Sequence, residues 1–285
     1  MNDGKVYYLT LPIGNLKDIS FNVLDSLKEG TYFYVEDTRT FKSVLRLYEI
    51  DYSKKVIKSF HDQSLQSSIA DIPSLIKSGQ NVYYCSEAGS PVVSDPGVSF
   101  LKILDKIVCD VEVVSYGGVC SIISALEVSK VSFSKFMFHG FFPRDKASKV
   151  KALELAKGVS KTHVFFESPH RVHKTLNFLL NSESLCPDEI YVCRELTKKF
   201  QEVIKLKVGD NPSKAESIKA KGEFVLVLNY LGLEEQFGLD KSIINTAEEI
   251  LNGNSKPKMI AKLLSKITNR PVKDVYLSLE KNLKK

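Results

Sequence analysis

Along the first 120 residues, short apolar runs alternate with stretches whose apolar positions recur every three or four residues. Lys5–Leu11 reads as a strand ended by Pro12 and Gly14, and helical spacing follows over Ile19–Leu27. Tyr32–Val35 is a second strand that runs into EDTRT, and Thr40–Leu47 resumes helical periodicity with Val44, Leu45 and Leu47 on its apolar side. Val56-Ile57 is a short third strand before His61. Leu65–Ile76 has helical spacing, with Gly79 as its stop. Asn81–Cys85 is a strand, followed by the loop SEAGSPVVSDPG and a helix over Val98–Ile107. Glu112–Ser115 is a last strand before YGGVC. Strands alternating with helices predict a parallel α/β sheet.

The pattern then changes. Phe136–His139, Thr162–Glu167, Glu189–Arg194, Glu202–Val208 and Gly222–Asn229 read as strands, interrupted by helices at 146–157 and 171–180. This is the pattern of a mixed sheet with antiparallel pairs. After Leu231 the chain reads as helix only, with Pro257–Ile267 and Val272–Lys281 flanking an Asn-Arg-Pro turn. The expected organisation is an α/β domain over residues 1–116, a second α/β domain over 117–231, and a helical basic region over 232–285.

Composition narrows the class. Of the 285 residues, 43% are hydrophobic and 26% charged, which is ordinary for a globular protein. Five scattered cysteines with no C-x-x-C spacing argue for reduced thiols rather than a disulfide framework or a zinc site. No segment approaches the ~20 apolar residues of a membrane span, and the N-terminus lacks a signal-peptide pattern. A cytoplasmic protein with no membrane partner is expected. The formal charge of +6 matters mainly through its distribution. Lys256, Lys258, Lys262, Lys266, Arg270, Lys273, Lys281, Lys284 and Lys285 crowd the C-terminal end, opposed only by Asp274 and Glu280. Such an end favours a polyanion, nucleic acid first. The two tail helices fit a helix-turn-helix, although an ordinary αα-hairpin is commoner.

Ligands of open α/β sheets sit beyond the carboxyl ends of the strands. LPIGN (11–15), EDTRT (36–40), SEAGSPVVSDPG (86–97) and YGGVC (116–120) fall there. Glycines permit close backbone approach and proline stiffens a turn. The dinucleotide and P-loop fingerprints are absent, as is H-E-x-x-H. His170 and His173 have no evident third ligand, so no metal is expected. Ser168, before Pro169, reads as a cap rather than a nucleophile.

LPIGNLKDIS, VEDTRTFKSVL, SEAGSPVVSDPG, FFESPHRVHKTL, CRELTKKFQE and KGEFVLVL occur in this order. Together they resemble the ribosomal RNA small-subunit methyltransferase I family, a branch of the tetrapyrrole-methylase fold, over roughly residues 5–230. The basic tail is similar to that family's small C-terminal domain. The resemblance implies S-adenosylmethionine as cofactor, bound between two α/β domains. It implies 2′-O-ribose methylation of a cytidine in small-subunit (16S) ribosomal RNA, and a homodimer. Where the family usually has a proline-rich P-G-P-[SC]-A turn, this chain has Gly117-Gly118-Val119-Cys120-Ser121, and two adjacent glycines leave the turn freer before binding.

Carried onto this chain, the resemblance places Ile13, Gly14, Gly89, Ser90, Pro91, Val93, Cys120, Ser121, Phe166 and Glu223 around the cofactor. Methyl transfer from a sulfonium is an in-line displacement, so alignment of oxygen, carbon and sulfur supplies much of the acceleration. A ribose hydroxyl is a poor acid, and a base or a stabilising charge would help. Lys198, Asp37 and Glu167 are the catalytic candidates, Lys198 as a base only if its surroundings lower its pKa. Arg39, His170, Arg171 and Arg194 suit phosphate or ribose recognition, and Arg194-Glu195 can also be read as a structural ion pair. Two other readings stay open: a tetrapyrrole (precorrin-type) methylase, and a ribosome-binding assembly factor without catalysis.

Overall fold

The computed structural model describes residues 3–61, 66–108, 110–131, 135–159, 162–182, 185–231, 257–268 and 271–283. Leu65, Lys256, Arg270, Lys284, Lys285 and the stretch 232–256 lie outside the described residues.

Five short strands form the first sheet: β1 (Val6–Leu9), β2 (Tyr32–Val35), β3 (Val56–Ser59), β4 (Val82–Cys85) and β5 (Val113–Tyr116). Their order is β3-β2-β4-β1-β5 and every pairing is parallel. Because successive side chains point to opposite faces, the strands feed two cores. Tyr8, Tyr34 and Tyr84 turn toward Phe100 and Leu104 of α4 (Gly97–Ile107) and Ile72 and Ile76 of α3 (Ile72–Lys77). Leu9, Val35, Tyr83 and Cys85 turn toward Val23 and Leu27 of α1 (Phe21–Glu29) and Phe41 and Leu45 of α2 (Thr38–Leu47). At about 1.5–3 kcal/mol for each large apolar side chain buried, both faces need their helices. Near-continuous apolar strands such as VYYC are the result.

The predicted helix over Leu65–Ile76 is, where described, a 3-10 turn (Gln66–Ile69) followed by α3. Two features start a new helix there. Pro73 lacks an N–H and is accommodated in a first turn. Asp71 is held by the Tyr34 hydroxyl at 2.6 Å and the Lys58 ammonium at 2.6 Å.

The second sheet contains β6 (Phe136–Phe141), β7 (Thr162–Glu167), β8 (Glu189–Arg194), β9 (Glu202–Lys207) and β10 (Phe224–Asn229), in the order β6-β7-β10-β8-β9. Only β6 and β7 are parallel. Here too the faces alternate. Phe224, Leu226 and Leu228 pack with α7 (Val172–Leu180) and α8 (Pro212–Glu216), while Val225 and Val227 pack with α5 (Ser121–Ser129). Sequence reading missed α5, whose run SIISALEVS carries little polar contrast to mark a face. α6 (Lys146–Val159) follows β6 and contributes the buried Leu153 to the α7 face. The tail forms α9 (Pro257–Thr268) and α10 (Val272–Leu283), which pack through Ile260, Ala261, Leu264 and Val275. No helix among the described residues is long and apolar enough to cross a membrane.

Candidate active site

β1 lies between β4 and β5, so the loops leaving their carboxyl ends emerge side by side. Two of these loops are stitched together. Leu11 N–H donates to the Gly89 carbonyl (3.1 Å) and Gly89 N–H donates to the Leu11 carbonyl (2.9 Å). Gly89 sits at φ +69°, where side chains are disfavoured, and a Cβ there would lie 3.2 Å from Ile13 Cγ2. Both backbone polar groups of Gly89 are thus engaged by Leu11, which fixes the loop's position beside β1. The rest of the loop is pinned as well. Buried Pro91 accepts the Gly97 N–H (2.9 Å), Ser90 accepts that of Val93 (3.1 Å), and the Tyr8 hydroxyl donates to the Gly97 carbonyl (2.8 Å).

Ile13, Val93, Cys120 and Phe166 come from four separate segments. They converge, half-buried, on the α5 face of the second sheet. Phe166 is packed edge-on against Phe138 (4.9 Å between centroids) and Phe141 (5.7 Å). Cys120 precedes α5 and Ser121 is its first residue. In the YGGVC turn the two glycines differ. A Cβ on Gly118 would meet Thr10 at 3.1 Å, whereas one on Gly117 would meet nothing within 4 Å.

The charged candidates are distributed among separate local networks. Asp37 caps α2, accepting the Arg39 and Thr40 N–H groups (2.7 and 3.2 Å), and its carboxylate pairs with the Arg39 guanidinium at 2.8 Å. These hydrogen bonds, the Arg39 side chain first, hold the Asp37 carboxyl well below the usual range. Arg39 itself is 90% exposed. Glu167 is fully buried, and both its oxygens are engaged. One accepts from Arg171 (2.6 Å) and the Ser168 N–H (2.6 Å), the other from the Thr175 hydroxyl (2.5 Å). Arg171 also donates to the Phe142 carbonyl. Arg194 does not pair with its neighbour Glu195. It reaches across β8–β9 to Glu202 (3.0 Å) and to the Lys221 carbonyl (3.3 Å). His170 is exposed, and its backbone N–H donates to the Ser168 hydroxyl (3.3 Å). This is a turn contact rather than the helix cap expected of Ser168, since the N-cap of α7 is Arg171 and has no side-chain cap.

Lys198 lies between Glu195 (2.9 Å) and Glu223 (3.1 Å). Partial burial opposes its charge, but the two carboxylates outweigh this and raise its pKa above the ordinary value. The lowered pKa that a lysine base requires is not what these neighbours produce. The Lys198 stem covers Gly14: a Cβ on Gly14 would sit 2.2 Å from Lys198 Cγ. Sequence reading gave no hint of the backbone here. Glu195 (φ +51°) and Thr197 (φ +65°) both occupy the left-handed region, and the buried Thr197 hydroxyl makes no hydrogen bond among the described residues. Two strained non-glycine residues so close together are of the kind that cluster at functional sites.

The family described as Tetrapyrrole (Corrin/Porphyrin) Methylases matches residues 5–211. The ribosomal RNA small subunit methyltransferase I of Bacillus subtilis (strain 168) is 34% identical over 278 residues, covering 96% of this chain and 93% of that protein. The protein of the same name from Thermotoga maritima is 37% identical over 226 residues, covering 79% and 98%. The chain belongs to the ribosomal RNA small subunit methyltransferase I family. Solved structures support the fold of this family member at low identity. Diphthine synthase superposes with a TM-score of 0.59 at 14% identity, covering 80% of this chain and 90% of its own. The methyltransferase CobJ gives 0.58 at 17%, covering 79% and 94%. Uroporphyrin-III C-methyltransferase from Thermus thermophilus, solved with S-adenosylhomocysteine, gives 0.51 at 15%, covering 79% and 97%. The α/β tetrapyrrole-methylase fold expected from the sequence is thus the one observed, and the chain is a methyltransferase of this family.

Proposed function

We propose that this protein transfers a methyl group from S-adenosylmethionine to the 2′-hydroxyl of a cytidine in small-subunit ribosomal RNA. The observation that carries the reading is similarity, over nearly the whole chain, to enzymes named for ribosomal RNA methylation. The residues at the strand ends are compatible with this cofactor. Ile13, Val93, Cys120 and Phe166 supply a half-buried apolar lining from both sheets, and Gly117 opens onto free space at the end of β5. Ser90, Pro91, Ser121 and Glu223 flank that lining. When bound, S-adenosylmethionine supplies an electrophilic methyl group.

The chain's own residues align and stabilise rather than abstract. Asp37 is a weak base beside Arg39, Glu167 has no idle oxygen, and Lys198 keeps its proton between two carboxylates. Holding oxygen, carbon and sulfur in line is the main contribution left to the protein, with exposed Arg39 and His170 available to RNA phosphates. Exposed Lys258 and Lys262 of α9 and Lys273 of α10 offer further cations for phosphate. A homodimer in the cytoplasm is the expected setting.

A methylated 2′-oxygen cannot attack the adjacent phosphodiester. Small subunits incubated with the protein and methyl-labelled cofactor, then hydrolysed in alkali, should yield label in a resistant dinucleotide. Label confined to mononucleotides would place the methyl on a base and defeat the assignment. In a parallel incubation with a uroporphyrinogen-type substrate, label transferred there and not to the small subunits would favour the tetrapyrrole reading.

A further inference from the structure

Three sequence motifs far apart in the chain, LPIGN, RELTK and KGEF, meet at one side chain. Gly222 sits at φ +87°, and a Cβ there would lie 2.3 Å from Glu195 Oε1, so only glycine leaves room for that carboxylate. Glu195 Oε1 accepts the Glu223 N–H (3.0 Å), while the Glu195 N–H donates to the Glu223 carbonyl (3.0 Å). The end of β8 and the start of β10 are thereby locked together. The same Oε1 holds the Lys198 ammonium at 2.9 Å, Glu223 holds it from the other side at 3.1 Å, and the Lys198 stem lies on Gly14 of the first sheet's leading loop. A continuous line of contacts runs from Gly222 through Glu195 and Lys198 to Gly14, joining the rims of the two sheets.

We propose that Lys198 is a positioning residue: a strut, fixed at its charged end by Glu195 and Glu223, whose methylene stem holds the 12–15 loop at the working width of the cleft. Gly14 has no side chain because the stem occupies that space. Long basic side chains cover neighbouring surface with their stems while the charge is satisfied elsewhere. This proposal deepens the adenosylmethionine reading and rests on it only for its effect on cofactor affinity.

A double-mutant cycle on the full chain tests it. Lys198→Ala should speed amide hydrogen exchange at residues 13–16 in the cofactor-free protein and weaken S-adenosylhomocysteine binding by tenfold or more in calorimetry. Lys198→Arg, which keeps a long stem and a charge, should restore most of the affinity. Gly14→Ala alone should be damaging, because its methyl would displace the stem. Added to Lys198→Ala it should cost almost nothing further, since the stem is gone, and that non-additivity is the signature of direct contact. Additive effects, or unchanged exchange and affinity in Lys198→Ala with only turnover lost, would overturn the strut and return Lys198 to chemistry. Failure of the wild-type protein to bind S-adenosylhomocysteine would instead count against the cofactor reading, and the exchange measurement would still decide the strut.

Discussion

The rims of the two sheets are built by opposite means. At the carboxyl ends of β1 and β4, glycine, proline and apolar residues are fixed by backbone pairing, with Leu11 against Gly89 and Pro91 against Gly97. At the ends of β7 and β8 the loops are fixed by charge, with Glu167 on Arg171, Arg194 on Glu202, and Lys198 between Glu195 and Glu223. The difference warns against reading conspicuous charge as chemistry. The acids and bases of ESPHR and RELTK are largely occupied in holding strand ends, and the surface proposed for the cofactor is the quieter one of Ile13, Val93, Cys120 and Phe166.

The sharpest way to break this contrast is Glu167→Ala. The substitution leaves Arg171, the Thr175 hydroxyl and the Ser168 N–H without their common partner, and losing one member of a buried pair costs about 3 kcal/mol or more. Urea unfolding should show that loss, while the molecules that remain folded should bind S-adenosylhomocysteine as before. Wild-type stability with abolished methyl transfer would instead make Glu167 a catalytic group.

The two glycine loops allow a finer test. Gly89→Ala forces a methyl onto a left-handed residue facing Ile13 and should lower stability by about 1–2 kcal/mol. Gly117→Ala meets nothing in the protein. Its stability should hold, or rise by about 0.5 kcal/mol through the unfolded chain, while cofactor affinity falls because the methyl takes ligand space. Unchanged affinity in folded Gly117→Ala would remove that turn from the site.

The smallest effect is on acid stability. His139 donates to or accepts from His163 at 2.9 Å, stacks on Phe165, and is pushed down to about 4 by burial and then by His163. Its ordinary value is 6.5, so between 6.5 and 4 the unfolded chain binds the extra proton. The stability this neutral imidazole confers is present above 6.5 and is lost as pH falls through that window. The melting temperature should decline less steeply over this range in His139→Gln than in wild type. Parallel curves would show that the pair does not couple to unfolding.

Much of the fold was legible because its central strands are buried on both faces and read as near-continuous apolar runs: VYYC, EIYVCR and FVLVLN need little tertiary information to be recognised. α5 was not legible, since the polar stripe of SIISALEVS is narrow, only Ser121, Ser124 and Glu127, and is blurred by the exposed Ile123. The loops announced themselves through Gly and Pro, and the convergence of Ile13, Val93, Cys120 and Phe166 follows the family motifs. Local sequence could not show which partner each charge takes. Arg194 pairs with Glu202, directly opposite it in the β8–β9 register, whereas adjacent Glu195 lies past the strand end on a left-handed backbone and pairs with Lys198. Nor does any composition signal the left-handed backbone of Glu195 and Thr197.

The placement of β10 has a consequence for the order in which the molecule is made. It is the last strand of the second sheet in sequence but the central one in space, hydrogen-bonded to β7 on one side and β8 on the other. All five strands of the first sheet have been translated by Tyr116, whereas the second sheet cannot close until Asn229. At 5–20 residues per second, a nascent chain waits on the order of 10 s between the two events. During that interval THVFFE and EIYVCR, both strongly apolar, have no β10 to cover their facing edges, and unpaired edges of this kind recruit other chains. Ribosomes stalled between residues 195 and 223 should therefore carry this protein in its most aggregation-prone form.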